Sequence, residues 1–219
     1  SSLKLEQKKY GIYLCGGDTT FSNTVSFSIT SLGYSKNIIY RNKAKLNDDI
    51  YVTGNLGDSF IGLQILKNKI KCKKKISDYF INKYFLPDVQ IKLVNKLSNF
   101  ANSSIDISDG LFSDLEKMLN KQDYSFLINL DKIPVSKYLL DLIKDREYKK
   151  KQLISNGDDY QVLFTANVNK SRIIHKTSKI LGIKITKIGK IISSKNKSTL
   201  VDQKGRKILL KYKGYTHQF

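Results

Sequence analysis

The sequence contains no tryptophan, one methionine, two prolines, two cysteines and two histidines in 219 residues. These shortages remove several classes of function. Cys15 and Cys72 form no CxxC and have no metal-site spacing, so they read as reduced thiols of a reducing compartment. His175 and His217 lie far apart in the chain, which argues against a zinc site. No apolar run approaches the ~20 residues that a membrane span needs. The opening residues, 1–9, are polar and charged, unlike a signal peptide, and the expected location is the cytoplasm. Acid is scarce as well: 19 Asp and Glu stand against 39 Lys and Arg, a net charge of +20. Such a balance is a possible nucleic-acid footprint. Here the lysines run along the whole chain among many Asn and Ile, with no RGG segment, zinc finger, RRM or KH motif. Nucleic acid is therefore not the expected partner.

The hydrophobic fraction is 40%, enough for one large domain or two small ones with a real core. Residues 3–10 read as the end of a helix. Ile12–Cys15 and Val25–Leu32 read as strands, the second by its alternation of Val25, Phe27 and Ile29 with Ser26, Ser28 and Thr30. Further strands are expected at 50–53, 126–130, 160–166 and 183–192, with a hairpin across Lys204-Gly205. Helices are expected after Asp58, over 75–85 up to Pro87, from Val89 to Phe100, from Leu111, over 136–144, and over 170–181 with Gly182 as the stop. Helices and strands mix without strict βαβ alternation, which indicates an α+β layered fold.

The scarce acids recur beside Gly or Ser at element ends. The central stretch, 101–110, is expected to leave one helical pattern, turn, and launch another helix. In it Asp106 and Asp109 flank the hydroxyl of Ser108, a hard-oxygen set of the kind Mg²⁺ accepts. On this stretch alone, a helix cap at Asp109 is the commoner reading. Gly16-Gly17-Asp18 could bring backbone N–H groups to a phosphate with Asp18 on a bridging cation, or be a hairpin turn. Arg41 could clamp a phosphate or be a solvated surface residue. Gly157-Asp158-Asp159-Tyr160 sets two carboxylates before an apolar strand, and could be only a solvated turn. Gly214-Tyr215 offers an aromatic plate or a tail anchor. The recurring acids together suggest several Mg²⁺ ions and a polyphosphate.

Five stretches in this order, 16–20, 49–58, 101–111, 157–160 and 214–215, resemble the thiamine-monophosphate kinase family of the PurM-like (aminoimidazole ribonucleotide synthetase) superfamily. The resemblance implies a PurM-like fold and ATP-dependent phosphorylation of thiamine monophosphate to thiamine diphosphate, by direct in-line transfer with Mg²⁺. It places Gly17, Asp18, Arg41 and Ser108 at ATP, Asp18, Asp106 and Asp109 on Mg²⁺, and Asp158 and Tyr215 at the thiamine phosphate. The family carries roughly a hundred further residues before this start, with more Mg²⁺-binding aspartates and strands used in dimerisation. The expected division is therefore residues 1–42 as the end of an N-terminal ATP-binding and dimerisation domain, and 43–219 as a complete C-terminal domain. Activity and the homodimer are expected to be weakened. Departures include Leu86 before Pro87 instead of Arg, Asn156 for Gly and Gln161 for Glu. The alternatives are another PurM-like enzyme, such as a selenophosphate or purine-pathway synthetase, and a basic nucleic-acid-binding module.

Overall fold

The computed structural model describes residues 2–145, 150–212 and 214–215, and it separates into two compact units, Ser1–Asn37 and Ile38–Phe219. The first unit holds one helix, α1 (Ser2–Tyr10), closed by a hydrogen bond from Ile12 N to Gln7 O at 3.2 Å. The strands expected at 12–15 and 25–32 are not formed: residues 11–48 contain no strand. Alternation supplies an apolar face, but a strand also needs a neighbour for its N–H and C=O groups. All seven strands of the sheet lie between Asp49 and Ile208. The side chains that would have lined the strand face, Val25, Phe27 and Ile29, are exposed.

The second unit is built on that sheet. Its strands are β1 (Asp49–Thr53), β2 (Ala101–Asp106), β3 (Tyr124–Asn129), β4 (Val162–Ala166), β5 (Ile185–Ser193), β6 (Thr199–Val201) and β7 (Lys207–Ile208). They lie in the order β2-β4-β1-β5-β3-β6-β7 and pair antiparallel except for β3 with β6. β1 is buried along its whole length because both its edges are paired and both faces are covered. Side chains alternate between the faces. Ile50, Val52 and Leu163 join the core beneath α5 (Leu111–Met118), whose Leu111, Leu115 and Met118 recur at helical spacing. Tyr51, Phe164 and Ala166 join the opposite core, beneath α4 (Ile91–Leu97) and α8 (Ser171–Leu181). There the rings of Tyr51 and Phe164 stack, 5.3 Å between centroids. Gly182 ends α8 in the left-handed conformation, φ 64°, as a C′ glycine does.

A third, smaller core joins α2 (Asp58–Leu66), α3 (Lys74–Phe85), α6 (Lys137–Asp145) and α7 (Lys150–Leu153) through Ile61, Phe80, Leu139 and Leu153. Gly62 lets α2 and α3 cross closely, since a Cβ there would lie 2.2 Å from the Phe80 carbonyl oxygen. The mixed α/β fold agrees with the layered α+β expectation.

The central stretch departs from its reading. α4 ends at Leu97, and 101–106 is not a turn but the edge strand β2, paired to β4. Asn and Ser compete for backbone hydrogen bonds and favour a helix little. Here they are used in the ladder's neighbourhood: Ser103 Oγ lies 2.8 Å from Thr165 Oγ1, and Ser104 Oγ donates to Leu163 O at 3.1 Å. The sequence thus enters the 106–110 turn from a strand.

Candidate functional site

Three loops meet where β2 ends and β4 begins. Asp158 N donates to Ser108 O at 2.9 Å, Tyr160 N to Ile107 O at 2.9 Å, and Ile107 N to Gln161 O at 2.9 Å. Tyr215 N donates to Asp109 O at 2.8 Å, which brings the 214–215 segment to the same turn. Glycine is required for this approach: a Cβ on Gly157 would sit 1.7 Å from the Ser108 carbonyl oxygen. Asp158 and Tyr160 both have positive φ, 66° and 49°, a conformation that costs non-glycine residues energy and gathers at functional sites.

The junction is acidic. Burial raises the Asp158 pKa above the ordinary carboxylate range, and the charge of Asp109 raises it further. The Tyr160 phenol is raised by burial first, then by the charges of Asp158, Asp106 and Asp109. Three carboxylates from two loops therefore act on one phenol. Lys117 balances part of this charge, with its Nζ bonded to Asp109 Oδ2 and, at 2.9 Å, to Asp114 Oδ1. Burial works against the Lys117 charge, but those bonds outweigh it and raise its pKa.

The cap reading of Asp109 fails on geometry. The N-cap of α5 is Gly110, at φ 124°, and it has no side chain to offer. The cap comes from inside the helix: Asp114 Oδ2 accepts from the N–H groups of Ser108, Asp109 and Gly110 at 3.0, 3.0 and 3.1 Å. One buried carboxylate gathers the N–H groups of the N-cap and of the two residues before it, while the first helical N–H, that of Leu111, goes to Ile154 O at 3.2 Å.

α2 begins the same way. Its N-cap, Gly57, has φ 90° and no capping side chain. The missing acceptor is Asp159, whose Oδ2 takes the Gly57 N–H at 2.8 Å. Burial is the main force on Asp159 and pushes its pKa up to about 8, against the hydrogen bonds from Gly57 and Ser59. Asp58, also raised by burial, adds to the push on Asp159, while it receives bonds from Ser136 Oγ at 2.7 Å and Tyr79 Oη at 2.8 Å. A small cavity of about 50 Å³ opens here, lined by Asp58, Ser59, Lys83, Asp88, Asp159 and Gln161. Gln161 is tied on two sides, its Oε1 accepting from Thr53 Oγ1 at 2.8 Å and Gln90 Nε2 at 3.0 Å.

The structure thus brings Asp106, Ser108, Asp109, Asp158 and Tyr215 to one junction. Gly17 and Asp18 belong to the first unit, where Asp18 Oδ1 accepts from the N–H of its neighbour Thr19 at 2.7 Å. No hairpin forms there, because neither flanking strand does. Arg41 is exposed in a turn of the second unit. His217 lies outside the described residues. The sequence reading did not name Asp114 or Lys117. A glycine at the cap position with an acid in the following turn was the available signal.

Among the described residues, no three His, Cys, Asp or Glu side chains converge closely enough to enclose a metal. The junction's oxygen donors still suit Mg²⁺ in the form it takes beside phosphates, with one or two carboxylates and the remaining positions filled by water and substrate oxygen.

No family model matches the chain. Individual relatives do. A thiamine-monophosphate kinase of Buchnera aphidicola subsp. Schizaphis graminum is 40% identical over 211 residues, 95% of this chain and 65% of the relative. That of Escherichia coli K12 is 33% identical over 211 residues, again 95% of this chain and 64% of the relative. Among solved structures, AaThiL complexed with AMPPCP and TMP superposes with a TM-score of 0.69 at 25% identity, over 84% of this chain and 55% of that one. E. coli HypE, a hydrogenase maturation protein, superposes with a TM-score of 0.62 at 16% identity, a likeness of fold alone.

The class these findings define is the PurM-like fold, a mixed sheet with helices on both faces. Within it the chain is related to the thiamine-monophosphate kinases along nearly all of its own length, and it spans about 65% of the length of the curated relatives. Among the described residues no helix is long and apolar enough to cross a membrane.

Proposed function

We propose that this chain serves the ATP-dependent phosphorylation of thiamine monophosphate to thiamine diphosphate, by direct in-line transfer with Mg²⁺. The observation that carries the reading is the backbone stitching of the 106–110, 157–160 and 214–215 loops, which gathers Asp106, Ser108, Asp109, Asp158 and Tyr215 at one junction. The relatedness to thiamine-monophosphate kinases and the likeness to a ThiL complexed with AMPPCP, an ATP analogue, and TMP support it.

The roles of the residues are those that the resemblance to the thiamine-monophosphate kinases implies. Asp106 and Asp109 hold Mg²⁺, and Ser108 contacts ATP. Asp158 and Tyr215 line the thiamine phosphate site, with the Tyr215 ring offering a face to the substrate's flat, cationic ring. Gly17 and Asp18 serve ATP and its Mg²⁺, and Arg41 contacts the nucleotide phosphates. Bound Mg²⁺ supplies neutralisation of phosphate charge. The acceptor oxygen of a phosphate monoester is already anionic at neutral pH, so the chain's residues need only align it and exclude water. This suits a junction without histidine. Residues 1–42 act as the end of an ATP-binding and dimerisation domain, 43–219 as the second domain, and the active form is a cytoplasmic homodimer.

Calorimetry with thiamine monophosphate, and with Mg²⁺-ATP, tests the reading, together with a turnover assay for thiamine diphosphate. Thiamine monophosphate binding is expected, and Asp158→Asn should weaken it about tenfold or more, the usual cost of a charged hydrogen bond. A chain that binds neither ligand and makes no thiamine diphosphate overturns it.

A further inference from the structure

The Asp158 backbone and the Tyr215 backbone hang on carbonyl oxygens of one short turn, those of Ser108 and Asp109. The N–H groups of that turn are held by a side chain of the helix that follows it. Those at 108, 109 and 110 all point inward, and Gly110 carries no side chain. One oxygen of Asp114 collects all three, at 3.0 to 3.1 Å, while the other oxygen is held by Lys117 at 2.9 Å. Asp114 is 0% exposed, so it meets no ligand itself.

We propose that Asp114 is a positioning residue: from within α5 it fixes the 108–110 turn and, through it, the placement of Asp158 and Tyr215 at the thiamine phosphate. The inference rests on the functional reading above for the identity of the ligand, and on the hydrogen bonds alone for the placement. Three donors converging on one oxygen leave the turn a single arrangement, because any rotation of one peptide breaks its bond. Lys117 fixes the carboxylate's other oxygen and keeps it from turning. The chain from Asp114 to the ligand site is thus two hydrogen bonds long on each branch: Asp114 to the turn, then the turn to the Asp158 or Tyr215 N–H.

The test compares Asp114→Ala with Asp114→Asn in the whole chain, at a temperature well below both melting transitions so that only folded protein is read. Alanine removes the acceptor; asparagine keeps one oxygen in the place where the three N–H groups need it and gives up only the bond from Lys117, whose half-exposed ammonium can turn to solvent. The expected result is thiamine monophosphate affinity about tenfold or more weaker in the alanine variant and largely recovered in the asparagine variant. Amide hydrogen exchange at Ser108, Asp109 and Gly110 should accelerate by roughly a hundredfold in the alanine variant, with the β1 amides unchanged, and return in the asparagine variant. Wild-type affinity in folded Asp114→Ala, or no recovery by Asp114→Asn in either measurement, overturns the positioning role. If the unsubstituted chain binds no thiamine monophosphate, the functional reading fails instead, and the exchange measurement alone decides whether Asp114 holds the turn.

Discussion

The starts of α5 and α2 solve one problem with opposite electrostatics. Both helices follow a glycine in a non-helical conformation, Gly110 at φ 124° and Gly57 at φ 90°, and neither glycine can cap. Both borrow a buried aspartate. At α5 the acid is Asp114, four residues past the cap glycine, with the ammonium of Lys117 beside it. At α2 the acid is Asp159, 102 residues away in sequence, and its charged neighbour is another acid, Asp58. The cap supplied locally has an ammonium 2.9 Å from its second oxygen, within the same helix. A cap supplied from a distant loop and sealed beside an acid ties two segments together, and burial makes its charge costly. The contrast shows that one capping geometry can stand beside a cation at one helix and beside a second acid at another.

The largest expected effect tests the local cap. Asp114→Ala leaves three inward N–H groups without their acceptor. At ~1 to 3 kcal/mol for a buried group left unpaired, the loss should be about 3 kcal/mol or more, measured as a shift of the urea midpoint. Above about pH 8, Asp159→Ala should cost less, because there it also removes a charge that burial disfavours. Equal losses would break the comparison.

The distant cap carries the pH dependence. Burial lifts the folded-state pKa of Asp159 to about 8, while in the unfolded chain it titrates near the ordinary carboxylate value. Between those limits the folded state holds a proton that the unfolded state has released. Stability should therefore fall as pH rises from about 4 to about 8, with a slope of up to ~1.4 kcal/mol per pH unit from this one group. In Asp159→Asn that part of the slope should vanish, and urea titrations across the window measure it. An unchanged slope would mean that Asp159 is ionised in the folded protein.

The two glycines should rank in the same order as the space around them. A Cβ at Gly110 would lie 2.8 Å from the Ser155 carbonyl oxygen, a backbone atom that cannot step aside. At Gly57 the nearest atoms are side chains, Leu153 Cβ at 3.1 Å and Leu139 Cδ2 at 3.2 Å. Both alanines bear the strain of positive φ, about 1 to 2 kcal/mol, and Gly110→Ala should exceed Gly57→Ala by a further ~1 kcal/mol in thermal or urea unfolding.

What could be read from sequence was local, and what could not was the partner. Asp106, Ser108, Asp109 and Asp158 stood out because acids are scarce in this chain and these sit beside Gly or Ser at element ends. α5 was legible from its apolar spacing, and the end of α8 from Gly182. The 101–106 strand was not, since Ala-Asn-Ser-Ser shows little alternation and its partner β4 lies some sixty residues downstream. The 25–32 segment erred in the opposite direction, with clear alternation and no ladder partner among the described strands. Asp114 looked like an ordinary polar residue of a helix face, because its function depends on a turn whose N–H groups face inward, and a side-chain pattern does not record that. Asp159 was visible as an acid, but its bond to Gly57 joins residues that only the fold brings near.

The smallest effect belongs to the cation that separates the two caps. Lys117→Met removes the partner of Asp109 and Asp114. The Lys117 side chain is 41% exposed, so solvent screens the pair, and the stability change should stay below about 1 kcal/mol. The difference from wild type should shrink further in high salt, since the Debye length drops to ~3 Å at 1 M. The consequence for Asp109 is larger than that for the fold: without its ammonium partner the carboxylate is open to Mg²⁺, and metal affinity measured by calorimetry should rise. A loss of several kcal/mol that salt does not change would show that the Lys117 bond to Asp114 is part of what holds the cap in place, rather than a screened surface pair.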